Sequence, residues 1–266
     1  MSEARIVSTL NDAVAVIEID HPARRNAFTV AMLQALREQV EARLADPACR
    51  VLVLRGAGQH FSAGGDINEF HQAMHLDAPA RLVTFRALIE NWINPVILAL
   101  RRAHQPVLSV VQGACAGYGL SLALASDFVL AAEDAVFSTA YTGIALPCDG
   151  GQSFFLARAL GERRARDLMW SARRVDAHSA LAMGLIDDVV PVAGLEDAAR
   201  SLFARLACGP RHALAEIKRL LEGEDSVLAA RLEAEAVAFA RCAATGDFVE
   251  GVNAFIERRQ PVFQGR

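Results

Sequence analysis

The five cysteines of this 266-residue chain, at positions 49, 115, 148, 208 and 242, form no CxxC pair. That scatter offers neither a zinc knuckle nor a disulfide framework, and it suits a reducing cytoplasm. No metal site is expected. No block of like charge exceeds a few residues, and 27 basic against 31 acidic residues leave a net charge of −4. Nucleic acids and anionic membranes are recognised by basic stripes, so neither is expected as a partner. No apolar run is long enough to span a bilayer, because Arg101, Arg102, His104, Gln105 and Pro106 interrupt the stretch from Val96 to Ala125. The opening MSEARIVSTLND has early acids and no apolar core, so no secretory signal is expected. What the chain does have is apolar mass: it is 53% hydrophobic, with a mean hydropathy of +0.24. This length fits one large domain or one domain with an appendage. So few polar residues also point to surface buried in an oligomer.

Along most of the chain, strands alternate with helices. Ala13–Ile19, Val51–Leu54, Val107–Val111, Phe128–Ala132 and Leu185–Val190 read as strands. Thr29 is placed to cap a helix through about Leu44, with Leu33, Leu36, Val40 and Leu44 on its apolar face. Arg81–Glu90 reads as a helix, and Asn94-Pro95 reads as the cap and first residue of a separate one, Val96–Ala103. Further helices are expected at Gln152–Leu160, Arg163–Trp170 and Asp176–Met183. From Leu195 onward the pattern is helical only. This divides the chain into an α/β core over residues 1–194 and a helical module over 195–266.

Two strands run into glycine-rich turns. Val107–Val111 leads to Gly113, Gly117 and Gly119, and Val51–Leu54 leads to Ser62-Ala-Gly-Gly65. Such turns let a backbone approach a ligand closely and aim N–H groups at it, although a plain packing joint has the same glycines. Gly56-Ala57-Gly58 is not a dinucleotide fingerprint, because the third glycine is missing and no helix opens there. His71 and His75 have helical spacing, but no carboxylate or cysteine completes a metal set. Arg24 and Arg25 are either a solvated pair or a phosphate contact. Asp149 is the only charge between Ala135 and Ala157, and is either a cap for the following helix or a working carboxylate.

Phe61-Ser-Ala-Gly-Gly-Asp-Ile67 and Gly113-Ala-Cys-Ala-Gly-Tyr-Gly119 resemble the two signatures of the crotonase (enoyl-CoA hydratase/isomerase) superfamily. Pro22-Ala-Arg-Arg-Asn-Ala27, Gly184-Leu-Ile-Asp187 and the closing segment from Glu250 to Arg258 fit the same family in order and spacing. The resemblance implies a spiral of ββα units with a C-terminal helical trimerisation region, hence a homotrimer or a dimer of trimers. It implies an acyl-CoA substrate, with coenzyme A as part of that thioester and no separate cofactor. It also assigns positions. Gly65 and Tyr118 supply two backbone N–H groups for an oxyanion hole. Arg24 or Arg25 meets the CoA phosphates, and Ala63, Asp66 and Ile67 lie at the adenine end. Phe255 and Arg258 complete CoA binding.

The resemblance also narrows the chemistry. Hydratases of this family carry two glutamates, where this chain has Ser121 and Tyr141. Asp149, twelve residues after Phe137, matches the position of the catalytic acid in enoyl-CoA, dienoyl-CoA and ring isomerases. The expected function is therefore a one-acid Δ3,Δ2-enoyl-CoA isomerase or a relative, with Tyr141 orienting substrate or lining the acyl pocket. The alternatives are a hydratase-type lyase, a hydrolase or dehalogenase using Asp149, and a non-catalytic acyl-CoA-binding protein. Residues 68–95 are expected to line the acyl pocket.

Overall fold

Turn chemistry starts the chain as a hairpin. In the computed structural model, which describes residues 4–222 and 225–266, β1 (Arg5–Asn11) pairs antiparallel with β2 (Val14–Asp20). Residues 1–3, part of the opening used to argue against a secretory signal, lie outside the described residues. Asp12 and Ala13 turn the chain with φ of 48° and 67°, the primed geometry that matches the strands' twist. Only β2 was expected; β1 is a half-exposed edge strand whose alternation is too weak to read. Next come α1 (Val30–Ala45), capped by the Thr29 hydroxyl, and β3 (Val51–Gly56). α2 (Ile67–Gln72) follows, capped by the Asp66 carboxylate.

The pair of helices expected on either side of Asn94-Pro95 is one continuous rod. α3 (Ala78–Leu88) passes through a π-helical turn, Ile89–Ile93, into α4 (Asn94–Arg102). Asn94 is therefore not a cap; its side-chain amide donates to the Leu232 carbonyl at 3.2 Å. Pro95 has no N–H to give the Asn91 carbonyl four residues back. Arg37 supplies that donor instead, at 2.9 Å, while the Asn94 N–H reaches back to Ile89. The wider turn is what lets the helix carry a proline.

The rest of the α/β region consists of β4 (Val107–Val111), β5 (Ala114–Ala116), α5 (Tyr118–Leu124), β6 (Phe128–Ala132) and β7 (Val136–Ser138), then α6 (Gln152–Leu160), α7 (Glu162–Ser171), β8 (Val175–Asp176), α8 (Ala177–Ala182) and β9 (Asp188–Val190). The large sheet has the order β1-β2-β3-β4-β6-β9 and is parallel beyond the first hairpin. A smaller sheet, β5-β7-β8, is continued by single bridges from Ser62 to Cys115 and from Phe28 to Gly65. Each turn of the chain thus places one strand in the large sheet and a short piece in the small one. This is the expected α/β spiral.

Period-two alternation sorts the large sheet's side chains. Ile17, Leu52, Leu54, Val107 and Ala131 enter the main core, and Val51, Val53, Leu108, Val110 and Leu130 point to the back. The tail comprises α9 (Leu195–Ala207), α10 (Arg211–Glu222), α11 (Asp225–Ala243) and α12 (Gly246–Glu257). The change of element type at residue 195 is not a gap in packing. α9 covers the back of the sheet with Leu195, Ala199, Phe203 and Ala207. α11 sends Leu228, Leu232, Ala236, Phe239 and Ala243 into the main core, chiefly against α3. No helix among the described residues is long and apolar enough to cross a membrane.

Candidate active site

The two glycine-rich turns meet because the small sheet pairs them. Ser62 N–H donates to Ala114 O, and Ala116 N–H donates to Ser62 O. Gly64 and Gly117 then pass within a side chain's thickness of each other, both at positive φ (94° and 54°). A Cβ on Gly64 would stand 3.0 Å from Ala116 O and 3.4 Å from the Tyr118 nitrogen, so glycine is required by space as well as by φ. Among the described residues, neither Gly65 N–H nor Tyr118 N–H has an acceptor in the protein. Tyr118 opens α5, so the positive end of that helix lies behind its N–H. Two such donors are suited to hold an oxygen on which negative charge develops.

Asp149 stands between β7 and α6 and is 4% exposed. Its carboxylate accepts a hydrogen bond from the Tyr141 hydroxyl at 2.7 Å. Its main-chain carbonyl accepts from the Ser121 hydroxyl at 2.8 Å. The carboxylate does not cap α6; the cap residue is Gly151, which has no side chain to do so. Burial pushes the Asp149 carboxyl up to about 7; the Tyr141 hydrogen bond pulls the other way, and the charge of Glu235 adds to the rise. Burial and the neighbouring Asp149 hold the Tyr141 phenol well above its ordinary value, so it remains a donor.

These groups share one cavity of about 590 Å³. Of the residues singled out from the sequence, Ala63, Gly65, Ile67, Tyr118, Tyr141, Asp149 and Phe255 lie on its wall. Arg24, Arg25, Asp66 and Arg258 do not. Arg24 and Arg25 are exposed on a loop that buried Asn26 pins to the first glycine turn, through bonds to Ala57 O and His60 O. Asp66 is spent capping α2, accepting from Asn68 N–H at 2.9 Å. Arg258 is exposed at the end of α12. The 68–95 stretch does line the cavity, through Phe70, Phe85, Leu88, Trp92 and Ile93. Phe70 and Phe85 meet edge-on, their centroids 5.3 Å apart.

Sequence reasoning missed two acids here. Glu69 lies on the cavity wall and accepts from Val30 N–H at 2.7 Å, and burial raises its carboxyl. Glu235, on α11, is buried beside the Asp149 turn. Its signal was available: it falls in phase with Leu228, Leu232 and Phe239 on an apolar helix face, where an acid is out of place.

A family model described as enoyl-CoA hydratase/isomerase matches residues 9–266. Among curated proteins, a probable enoyl-CoA hydratase of Rhodobacter capsulatus is 36% identical across all of both chains. The 1,2-epoxyphenylacetyl-CoA isomerase of Escherichia coli is 32% identical over 98% of each. Among solved structures, an enoyl-CoA hydratase from Mycobacterium avium subsp. paratuberculosis K-10 superposes with a TM-score of 0.87 at 35% identity, covering 97% of this chain and 98% of that one.

Proposed function

The chain belongs to the enoyl-CoA hydratase/isomerase family of enzymes acting on acyl-CoA thioesters, and from that premise we propose that it is a Δ3,Δ2-enoyl-CoA isomerase, or acts on a related ring or dienoyl thioester. The observation that carries this reading is Asp149: a single buried carboxylate, brought to about 7, on the same cavity wall as the Gly65 and Tyr118 turns. The thioester oxygen accepts from the N–H groups of Gly65 and Tyr118. Asp149 takes a proton from C2 of the 3-enoyl thioester, and the electron pair spreads onto the oxygen as a dienolate. The same carboxyl then returns the proton to C4, leaving the double bond between C2 and C3. A base near 7 suits both halves of the transfer. Each oxyanion donor contributes on the order of 3 kcal/mol in a water-poor site.

The remaining assignments are carried over from the family resemblance. Coenzyme A enters as the carrier half of the substrate, and no separate cofactor is needed. Arg24, Arg25 and Arg258, all exposed, supply cations for its phosphates. Ala63 and Ile67 flank the adenine end, with Asp66 acting through the cap it makes on α2. Phe255, on the cavity wall from the chain's own α12, completes coenzyme A binding. The protein is proposed to work in the cytoplasm as a homotrimer or a dimer of trimers.

The test is Asp149→Asn with a 3-enoyl-CoA. Turnover should fall by about a thousandfold, at the scale of losing a general base; wild-type turnover would remove Asp149 from the mechanism. One observation favours a second reading. Glu69 is another acid on the cavity wall, so the pair could serve water addition. A 2-enoyl-CoA incubated with the enzyme and followed by mass spectrometry decides between them: a hydrated thioester as main product supports the lyase, and double-bond migration without a water adduct supports the isomerase.

A further inference from the structure

Glu235 is 4% exposed and sits on the helical tail, but its partners all belong to the Asp149 turn. One carboxylate oxygen accepts from Gly151 N–H at 2.7 Å. The other accepts from Ser153 N–H at 2.9 Å and from the Ser153 hydroxyl at 2.5 Å. α6 has no side-chain cap within its own segment; the N–H groups of its cap residue Gly151 and of Ser153 in its first turn are satisfied from α11, while Gln152 N–H goes to Asp149 O. Only Gly150 separates Asp149 from the first of these contacts. The Ser121 and Tyr141 hydroxyls hold Asp149 from the other side. Gly150, at φ 63°, is packed so tightly that a Cβ would stand 2.9 Å from Ser121 Cβ and 3.1 Å from the Tyr118 ring. The turn is therefore gripped at both ends, and one grip belongs to the tail.

We propose that Glu235 is a positioning residue: from α11 it clamps the 148–153 turn, and so fixes where the Asp149 carboxylate stands against the reacting carbons. This rests on the reading of Asp149 as the proton carrier. It makes the seating of the tail a condition of catalysis. Glu235 also acts on Asp149 through its charge. The titratable groups facing Asp149 are Tyr118 from α5, Tyr141 from the segment after β7, Cys148 from its own turn and Glu235 from α11. Of these, Glu235 is the other carboxylate. Burial raises it too, but Ser153 and the Gly151 and Ser153 N–H groups favour its charged form, whereas Asp149 has the one hydroxyl of Tyr141. Unequal solvation of two nearby acids leaves the charge on the better-solvated one and the raised proton on the other.

The experiment compares Glu235→Gln and Glu235→Ala with wild type over a pH series, using a 3-enoyl-CoA. Glutamine keeps the shape and an acceptor but loses the charge, so it guards against a variant that fails to fold. For Glu235→Gln the acid limb of kcat/KM should move down by about half a pH unit, because a neighbouring negative charge is gone. Its plateau kcat should fall by about tenfold, with KM within about threefold, as expected when a reacting group is misplaced but binding is kept. Glu235→Ala should lose more kcat than Glu235→Gln. An unmoved acid limb or a wild-type plateau kcat in Glu235→Gln overturns the proposal; a merely structural cap would leave the limb in place. A carbon-13 titration of the Asp149 carboxyl, assigned with Asp149→Asn, reads the same shift without turnover. It separates a failure of the clamp from a failure of Asp149 as the base.

Discussion

At the scale of single residues, Tyr141 opposes burial in setting the protonation of Asp149, the carboxyl proposed to carry the proton. Its hydroxyl bond favours the charged form of Asp149 and so opposes burial. In Tyr141→Phe that opposition is lost, and the Asp149 carboxyl must rise further. The base works only when ionised, so activity disappears as pH falls through its value. The acid limb of kcat/KM should therefore move up by about one pH unit, and the rate near pH 6 should drop far more than the rate near pH 9. This is opposite in sign to the Glu235→Gln shift, and pH–rate profiles of the two variants check both. The contrast also shows what the sequence could tell. Gly65 and Tyr118 were picked out through the family resemblance, which can carry a backbone donor because it depends on its place in the turn, whatever the side chain. Asp149 was picked out the same way, but its own residues left it open between a cap and a working carboxylate, because an Asp just before Gly-Gly-Gln can serve as either. The deciding fact, that Glu235 caps α6 instead, lies 84 residues away.

At the scale of elements, the α3–α11 contact seats the tail over the site, and a buried arginine holds it. Arg81, 7% exposed, donates to Ala243 O at 3.0 Å and Ala244 O at 3.2 Å, the orphan carbonyls at the end of α11, and to Leu76 O at 2.7 Å. Its charge also lies at the negative end of that helix. Arg81→Met keeps much of the volume but leaves those carbonyls without a donor. It should cost about 2 to 3 kcal/mol of stability, measured by denaturant unfolding. It should also lower kcat, since α11 carries Glu235. A midpoint equal to that of wild type would show that α11 is held by its apolar stripe alone. Most elements were legible at this scale because period and caps agree, as in α1 with Thr29. The break expected at Asn94-Pro95 was wrong for a reason sequence does not carry. The carbonyl that proline strands is supplied by Arg37, which sequence spacing does not bring near it.

At the scale of the whole molecule, the apolar excess of the composition is only partly consumed by folding. Ile217, Leu220 and Leu221 on α10 remain 53%, 71% and 67% exposed, and Val227 at the start of α11 is 57% exposed. Clustered apolar residues of this kind on the tail mark a surface that association would cover. Burying a leucine side chain is worth roughly 1.5 to 3 kcal/mol, so a few per protomer, repeated around a symmetric ring, are enough to matter. The double substitution Leu220→Glu with Leu221→Glu should convert the proposed trimer into protomers, read by light scattering on a sizing column. The variant should still fold, because neither side chain belongs to the core. The site distinguishes what dissociation removes. Each chain supplies its own Phe255 and Asp149 to one cavity, and its own Glu235 to the turn that follows Asp149, so a separated protomer keeps every proposed reacting group. It should then lose activity only as far as α11 loosens: kcat should fall together with the Glu235 grip, and the acid limb should move down as it does in Glu235→Gln. A variant that stays trimeric would place the assembly surface elsewhere on the molecule.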